Sequence, residues 1–189
     1  PAPSVSMSMP VSSSSEYPRL RDKFIRRLMK HSKKSVSTQI LDESLEFAYR
    51  SLQTQVHDQR SSPNLQRYQS MTKQELFVTA IHQAKPWLTT KTYKRGGKAV
   101  IIPEMLTPAQ QESFAIRWLI VNSRQLSRPS GPTGGQPMSF CLGKELVGCL
   151  TNQGRTMAQR DQLHKLAEAN RAWVMGLSLI HISEPTRLS

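Results

Sequence analysis

The sequence predicts a mostly α-helical fold, a bundle of about six helices from which one two-stranded β-hairpin arm projects. Two observations support this fold class. In most segments, apolar residues recur at the three- and four-residue spacing of an amphipathic helix. One segment instead has strand character and is interrupted by Gly96-Gly97, and glycines supply the positive φ that a two-residue hairpin turn requires.

The first two helices are predicted from the N-terminal third of the chain. Between Arg19 and Lys34 an apolar face begins at Phe24 and Ile25, which predicts a short helix that is apolar inside and cationic outside. A second helix is expected from about Ser35 to Val56. The polar stretch that follows, 57–71, reads as a loop.

Local start and stop signals bound the third helix and the arm. Thr72 and Glu75 form a T-x-x-E capping box that fixes a helix start, and Pro86 ends that helix. A turn at Gly96-Gly97 then sets the hairpin register, because side chains alternate between the two faces of a ladder. One face is expected to carry the pairs Arg95 with Lys98, Tyr93 with Val100, and Lys91 with Ile102.

The C-terminal half of the chain predicts three more helices. A cap, a first-turn proline and a T-x-x-Q box at Thr107–Gln110 start the fourth helix, which ends near Leu126. The Gly/Pro-rich stretch 127–137 predicts a surface loop. Helices are expected at about 139–152 and 157–175.

Composition divides the 189 residues into three parts. Residues 1–18 are rich in Ser, Pro and Met and predict a low-complexity N-terminal extension. The helical domain is expected over 19–176, with the hairpin at 88–103. Residues 177–189 look like the translation of a transposon adapter used in sequencing libraries, so we exclude them from the fold as an artefact.

The charge balance indicates a polyanionic partner. Lys and Arg number 26 against 13 Asp and Glu, a formal net charge of +13. No stretch approaches the roughly 20 apolar residues that a membrane span needs. Cys141 and Cys149 lie about 12 Å apart along a predicted helix, too far for a disulfide, and neither has zinc-ligand spacing. Both are expected in the core.

Residues with catalytic spacing are absent from the sequence. The five histidines have no Cys, Asp or second His at metal or triad spacing, and no nucleophile, base and orienting group occur together. We therefore expect no enzyme, no metal and no cofactor.

The cations between residues 19 and 34 are the first candidate binding surface. Eight basic residues face a single acid, Asp22, whereas a solvated helix face normally mixes both signs. This imbalance favours phosphate contacts over simple solvation. The basic residues are Arg19, Arg21, Lys23, Arg26, Arg27, Lys30, Lys33 and Lys34.

The hairpin is the second candidate surface. Like charges opposed across a ladder destabilise an isolated hairpin, and phosphates would neutralise them. The alternative is an ordinary solvated hairpin whose lysines protect its edges from pairing. Lys85 precedes the hairpin, and the arm carries Lys91, Lys94, Arg95 and Lys98 with no acid between residues 85 and 98.

Charge and shape together leave three functional classes open. A basic arm on a helical body suits rRNA, and it also suits an architectural protein that lays the arm in the minor groove of DNA. A DNA-bending arm usually carries an apolar wedge or Pro at its tip, and here the tip is Arg95-Gly-Gly-Lys98. A basic adaptor that binds only proteins would need an exposed apolar patch.

Three segments of the sequence resemble a known protein family, and this resemblance favours one of the three functional classes. Lys23–Met29, followed by Lys33-Lys34-Ser35, resembles the opening of the small-subunit ribosomal protein seven family. The hairpin followed by Phe114–Ile120, FAIRWLI, looks like that family's arm and its A-x-R-W helix. His164–Ala172, HKLAEANRA, is similar to the family's H-R-M-A-E-A-N-K-A segment.

The resemblance implies a helical bundle bound to the 3′ major (head) domain of small-subunit rRNA, whose assembly it organises. It implies neighbouring head proteins, an arm near the exit-site tRNA and the mRNA path, and no catalytic residues. Carried over by position, Lys33-Lys34 and the four arm cations would contact rRNA. Arg155 and Arg160, which flank the start of the last helix, would add further contacts.

The departures from the family pattern bear on localisation. The loops at 57–71 and 127–137 look longer than in bacterial members, as does the Ser/Pro-rich front. This favours a mitochondrial ribosome in the matrix, with a chloroplast or the bacterial cytoplasm as the alternatives.

Overall fold

The computed structural model describes residues 13–57, 68, 70–95, 98–129 and 134–171. Within these ranges the chain forms a bundle of helices and one antiparallel hairpin, which confirms the predicted fold class. The elements are α1 (Ser13–Leu28), α2 (Lys34–His57), α3 (Lys73–Ala84), β1 (Leu88–Arg95), β2 (Lys98–Met105), α4 (Pro108–Leu126), α5 (Met138–Leu150) and α6 (Arg155–Ala169).

Helix α1 begins at Ser13, upstream of the composition change at Arg19. Tertiary contacts stabilise its first turns, and local composition does not reveal such contacts. The Tyr17 ring meets Phe77 of α3 edge to face at 5.9 Å, and a Glu16 carboxylate oxygen lies 3.1 Å from His82 Nε2. These contacts favour a helix through Pro18, despite the backbone donor that proline lacks.

The cationic run at 19–34 is not one helix. Helix α1 ends at Leu28, and the chain reverses through a tight turn before α2. His31 and Ser32 both adopt left-handed backbone geometry in this turn, with φ of 51° and 59°. Such geometry costs non-glycine residues roughly 1–2 kcal/mol each, so packing around the turn must maintain it.

The predicted helix starts at Thr72 and Thr107 are confirmed. At the start of α3, the Thr72 N–H donates to a Glu75 carboxylate oxygen at 2.8 Å, and the Glu75 N–H donates to Thr72 Oγ1 at 3.3 Å. At α4, the Thr107 N–H donates to Gln110 Oε1 at 3.1 Å. Each bond satisfies a backbone donor that the first turn of a helix leaves without an intrahelical partner.

The hairpin register matches the prediction. Arg95 lies opposite Lys98, Tyr93 opposite Val100, and Lys91 opposite Ile102. Strand β2 runs to Met105, past the expected end at residue 103, because Trp87 and Leu106 extend the pairing at the base of the arm. The Leu106 N–H donates to the Trp87 carbonyl at 3.2 Å. The predicted turn residues, 96–97, lie outside the described ranges.

Helix α5 lies at the centre of the bundle, against α2, α3, α4 and α6. Leu142 and Leu146 of α5 are fully or almost fully buried, as are Phe24 of α1 and Phe77 of α3, which meet edge to face at 5.6 Å. Helix α4 supplies Leu119 to the same core. Within the described residues, one hydrophobic core therefore holds the helices together.

Glycine permits a close contact between two helices of the core. A Cβ placed on Gly143 of α5 would lie 2.6 Å from Cδ1 of Phe47 and 2.8 Å from the backbone oxygen of Ser44, both on α2. Only a residue without a side chain lets α2 and α5 approach this closely. The glycine lowers the intrinsic helix propensity of α5, and the packing it permits offsets that cost.

Helix α6 is capped by a side chain from α5. Helix α5 stops at Leu150 and α6 starts at Arg155, each within two residues of its predicted boundary. The buried Glu145 carboxylate accepts from the Thr156 N–H at 3.3 Å and from Thr156 Oγ1 at 3.0 Å. The N-cap residue, Gly154, has no side chain that could accept a hydrogen bond from the first turn of α6. Glu145 accepts these bonds instead, and its negative charge at the helix N-terminus is favourable.

Both cysteines are buried, as predicted. Burial raises the pKa of the Cys149 thiol, and the nearby Glu145 carboxylate reinforces this effect, so the thiol stays protonated at neutral pH. None of the helices described is long and apolar enough to cross a lipid bilayer. The expectations for 1–12, for most of 57–71, for 130–133 and for 172–189 lie outside the described residues.

Candidate RNA interface

The predicted cations between residues 19 and 34 fall into two groups, those bound to acids within the protein and those that face solvent. The C-terminal end of α1, the turn after it and the first residue of α2 carry the second group. These side chains are exposed, and within the described ranges they have no acidic partner. They are Arg26, Arg27, Lys30, Lys33 and Lys34.

The N-terminal half of the same run forms ion pairs. Arg19 donates to Glu112 of α4 at 2.7 and 2.9 Å and also contacts Glu16, while Lys23 donates to Glu112 at 3.0 Å. Arg21 pairs with Asp42 of α2 at 3.2 Å. The acidic complement that is missing from the local sequence is thus supplied by distant elements. Arg19 and Arg21 hold the bundle together, and any phosphate contact they make would have to share them with these acids.

Glu112 is the centre of this network. Its carboxylate is only 7% exposed and also lies 3.6 Å from Lys85 Nζ. Burial alone would raise the pKa of Glu112, but hydrogen bonds from Arg19 and Lys23, with the Lys85 charge, outweigh it and hold the pKa at about 2. Burial lowers the pKa of Lys85, and Glu112 opposes that shift. Lys85 is consequently part of the core network at the base of the arm, not a free cation of the arm.

Along the arm, exposed cations lie between the base and the tip. Lys91 pairs with Glu104 on the neighbouring strand, and Lys94 is exposed with no acidic partner among the described residues. Arg95 and Lys98 lie directly opposite each other in the ladder, and their side chains lie outside what the structure describes. The register therefore places like charges opposite each other at the tip, an arrangement that favours an anionic ligand.

The two predicted cations of α6 differ. Arg155 is exposed at the first position of the helix. Arg160 pairs with the adjacent Asp161 at 2.8 Å and also donates to the Gln83 carbonyl of α3. Arg160 is thereby anchored between α6 and α3, leaving Arg155 as the more accessible of the two.

Sequence reasoning missed two cations beside the α1–α2 turn. Arg124 and Arg128 lie near the C-terminal end of α4, and both line a groove shared with Lys30 and Lys33. Their spacing of four residues is the signal that was available in the sequence. Nothing local shows that the end of α4 meets that turn, which is why the cluster appears only in the folded chain.

Exposed aromatic side chains accompany the arm. Tyr93 is 50% exposed on the face that carries Lys91, and Trp87 is 59% exposed at the base. The Trp87 N–H donates to His164 Nε2 of α6 at 3.3 Å, which ties the arm to the body. No group of three or more metal-ligating side chains occurs within the described residues.

A helical body with solvent-facing cations on one turn and a basic arm is typical of proteins that bind RNA or DNA, because phosphates are the ligands that such cations bind. Comparison with known proteins specifies the class further. The family model for ribosomal protein S7p/S5e matches residues 4–171. The chain belongs to this ribosomal protein family.

Bacterial proteins are among its relatives. The small ribosomal subunit proteins uS7 of Thermomicrobium roseum and Chloroflexus aggregans are 31% and 30% identical to it over 154 residues, 82% of this chain and 83% of each relative. The uS7 protein of Chlamydia pneumoniae is 31% identical over 152 residues, 80% of this chain and 82% of the relative. Membership of a structural ribosomal family confirms the expectation that the chain is not an enzyme.

Proposed function

We propose that this protein is a structural component of the small ribosomal subunit that binds the 3′ major domain of the rRNA and organises assembly of the head. The main support for this proposal is a group of five exposed cations at the end of α1, in the turn after it and at the first residue of α2. Within the described ranges these cations have no acidic partners. Family membership supports this choice of polyanion, since the relatives are named as small-subunit proteins.

The arm extends the proposed interface. Lys94 and the opposed pair Arg95 and Lys98 lie at its distal end, and Lys91 lies closer to the body. A strand rises about 3.3 Å per residue, so eight residues carry the tip roughly 25 Å from the base. We propose that this reach lets the arm lie near the exit-site tRNA and the mRNA path, with other head proteins against the body.

The arm is tested by a triple substitution. Replacing Lys94, Arg95 and Lys98 with Ala should lower affinity for the head-domain rRNA at least about tenfold and reduce its salt dependence, because up to three phosphate contacts are lost. The fold should survive, since the arm projects from the core. Filter binding measures the affinity, and circular dichroism measures the fold.

A matched control removes three cations elsewhere. Arg50 of α2 and Lys73 at the start of α3 pair with Glu46 of α2, and Lys144 is exposed on α5. Replacing these three with Ala changes the net charge equally and should leave most of the affinity intact. Equal losses in the two folded variants would remove the arm from the interface and leave only a general charge effect.

Proximity to tRNA and mRNA is a separate proposal with its own test. A photo-cross-linking residue at position 94, introduced into assembled small subunits carrying tRNA and mRNA, should link to one of those RNAs. The same residue at position 144 should not. Cross-links from position 94 to rRNA alone would contradict the proposed location of the arm tip.

We further propose a mitochondrial ribosome as the location. The support is the apparent length of the loops at 57–71 and 127–137 and the Ser/Pro-rich front. Co-sedimentation of the native protein with small subunits from purified mitochondria would support the proposal. Recovery only with chloroplast or bacterial ribosomes would overturn the location and leave the ribosomal role intact.

A further inference from the structure

A groove separates the α1–α2 turn from the C-terminal end of α4. It has a volume of about 530 Å³, within the range of pockets that hold small ligands. The left-handed residues His31 and Ser32 let the chain reverse along one side. Arg124 supports the other side by donating to the Leu28 carbonyl, the last of α1, at 2.9 Å. Strained backbone of this kind is concentrated at functional sites.

The groove has an apolar floor and a cationic rim. Leu28 is buried, Ile40 and Met138 are half-buried, and Val36 lies 48% exposed at the opening. The rim carries Lys30, Lys33 and Arg128, all exposed, and none of the described residues that line the groove is a carboxylate.

The apolar floor and the cationic rim together indicate which kind of ligand fits the groove. A bare phosphate would satisfy the rim and leave the apolar floor in water, and an apolar ligand would leave the cations unused. An unpaired nucleotide has both parts, a flat base that packs on apolar side chains and a phosphate for the cations. An RNA duplex offers this groove only its phosphates, because its bases are stacked inside.

We propose that this groove binds an unpaired nucleotide of the RNA, with the base against Val36, Ile40 and Met138 and the adjoining phosphates at Lys33 and Arg128. This inference rests on the proposed RNA-binding function and adds to it a preference for single-stranded over paired RNA. The rim cations alone would bind both forms of RNA; the apolar floor distinguishes them.

The test uses the full chain and two RNA probes, a single strand of about 12 nucleotides, a length usual for single-strand binding sites, and the same sequence as a duplex. Val36→Gln places a polar group at the opening of the groove. It should weaken single-strand binding about tenfold, because a bound base would bury the new amide without a hydrogen-bond partner, and leave duplex binding unchanged. Val121→Gln is the matched control, because Val121 is a 42% exposed valine on α4 that does not line the groove.

The phosphate contacts have a separate readout. Replacing Lys33 and Arg128 with Ala should lower the salt slope of single-strand binding by about 1.4, the value for two phosphates. Val36→Gln should leave that slope unchanged, since it removes no charge. This separates the base contact from the phosphate contacts.

Two outcomes would overturn the inference. If folded Val36→Gln and Val121→Gln bind the single strand equally well, the groove holds no base. If Val36→Gln instead abolishes binding of an acidic, leucine-containing peptide and spares the single strand, the groove is a protein-docking site. In both cases, intact wild-type affinity for the head-domain rRNA would leave the proposed function standing.

Discussion

Glu112 is the residue on which the N-terminal half of the bundle converges. Its carboxylate contacts Arg19 and Lys23 of α1 and Lys85 at the base of the arm. One buried anion thus offsets three cations that would otherwise repel one another across two helices and the arm connection. Lys85 is the most buried of the three cations and Arg19 is exposed, so removal of the acid costs most at Lys85, where an unpaired charge costs more than an exposed ion pair contributes.

Substitution of this residue gives a pH-dependent stability effect. Glu112→Gln should lower the free energy of unfolding by about 3 kcal/mol at pH 7. The folded pKa of about 2 lies below that of an unfolded Glu, so the stabilisation is complete above about pH 5 and disappears as pH falls towards 2.

Urea denaturation of the wild type and of the Gln variant between pH 2 and 7 measures this difference. Glu43→Gln serves as the control, because Glu43 is an exposed carboxylate on α2. The difference between wild type and Glu112→Gln should shrink as the pH falls. A difference that stays constant with pH would show that the loss comes from packing and not from the charge.

Among the helices, α5 has the central position. It packs against four other helices, and its Glu145 supplies the anionic cap of α6. Its approach to α2 depends on Gly143, where Phe47 and the Ser44 carbonyl leave no room for a Cβ. The position of α5 therefore determines the spacing of the bundle that carries the interface.

Adding one methyl group tests that spacing. Gly143→Ala should destabilise the fold by about 1–3 kcal/mol, because overpacking at a backbone contact outweighs the gain in helix propensity. Thermal unfolding measures the change, and Lys144→Ala, an exposed site on the same helix, should alter it little. Stabilisation of Gly143→Ala would mean that α2 and α5 can separate without loss.

At the scale of the whole molecule, local signals predicted much of the fold. The capping residues Thr72 and Thr107 predicted two helix starts, and the position of two adjacent glycines in the sequence predicted the observed strand register, because such signals act within a few residues of the feature they determine. Long-range pairing was not predictable in this way. The partners of Arg19 and Lys85 lie far along the chain, so cations that look free in the sequence are bound to Glu112 in the fold.

The same limit applies to the candidate site. A cation run predicted an interface between residues 19 and 34, and the fold leaves the second half of that run exposed. The groove that contains Arg124 and Arg128 forms where residues 28–40, residues 124–129 and Met138 come together in the fold. The hydrophobic periodicity of each segment predicts its helix and does not predict which other segments it contacts. The positive charge of the sequence predicted a polyanionic ligand. The tertiary structure is needed to show which cations are exposed and free of ion pairs, and so could bind that ligand.

A protein with a formal net charge of +13 would bind any polyanion, so the proposed function requires specificity for rRNA. Filter binding of the protein to the small-subunit rRNA head fragment, with duplex DNA as competitor across a salt titration, measures this specificity. We expect a preference for the rRNA that persists near 0.15 M salt, with a log–log slope steeper than about −3.5, equivalent to four or more phosphate contacts. Equal binding to rRNA and DNA that collapses as salt rises would contradict it and describe a nonspecific polycation.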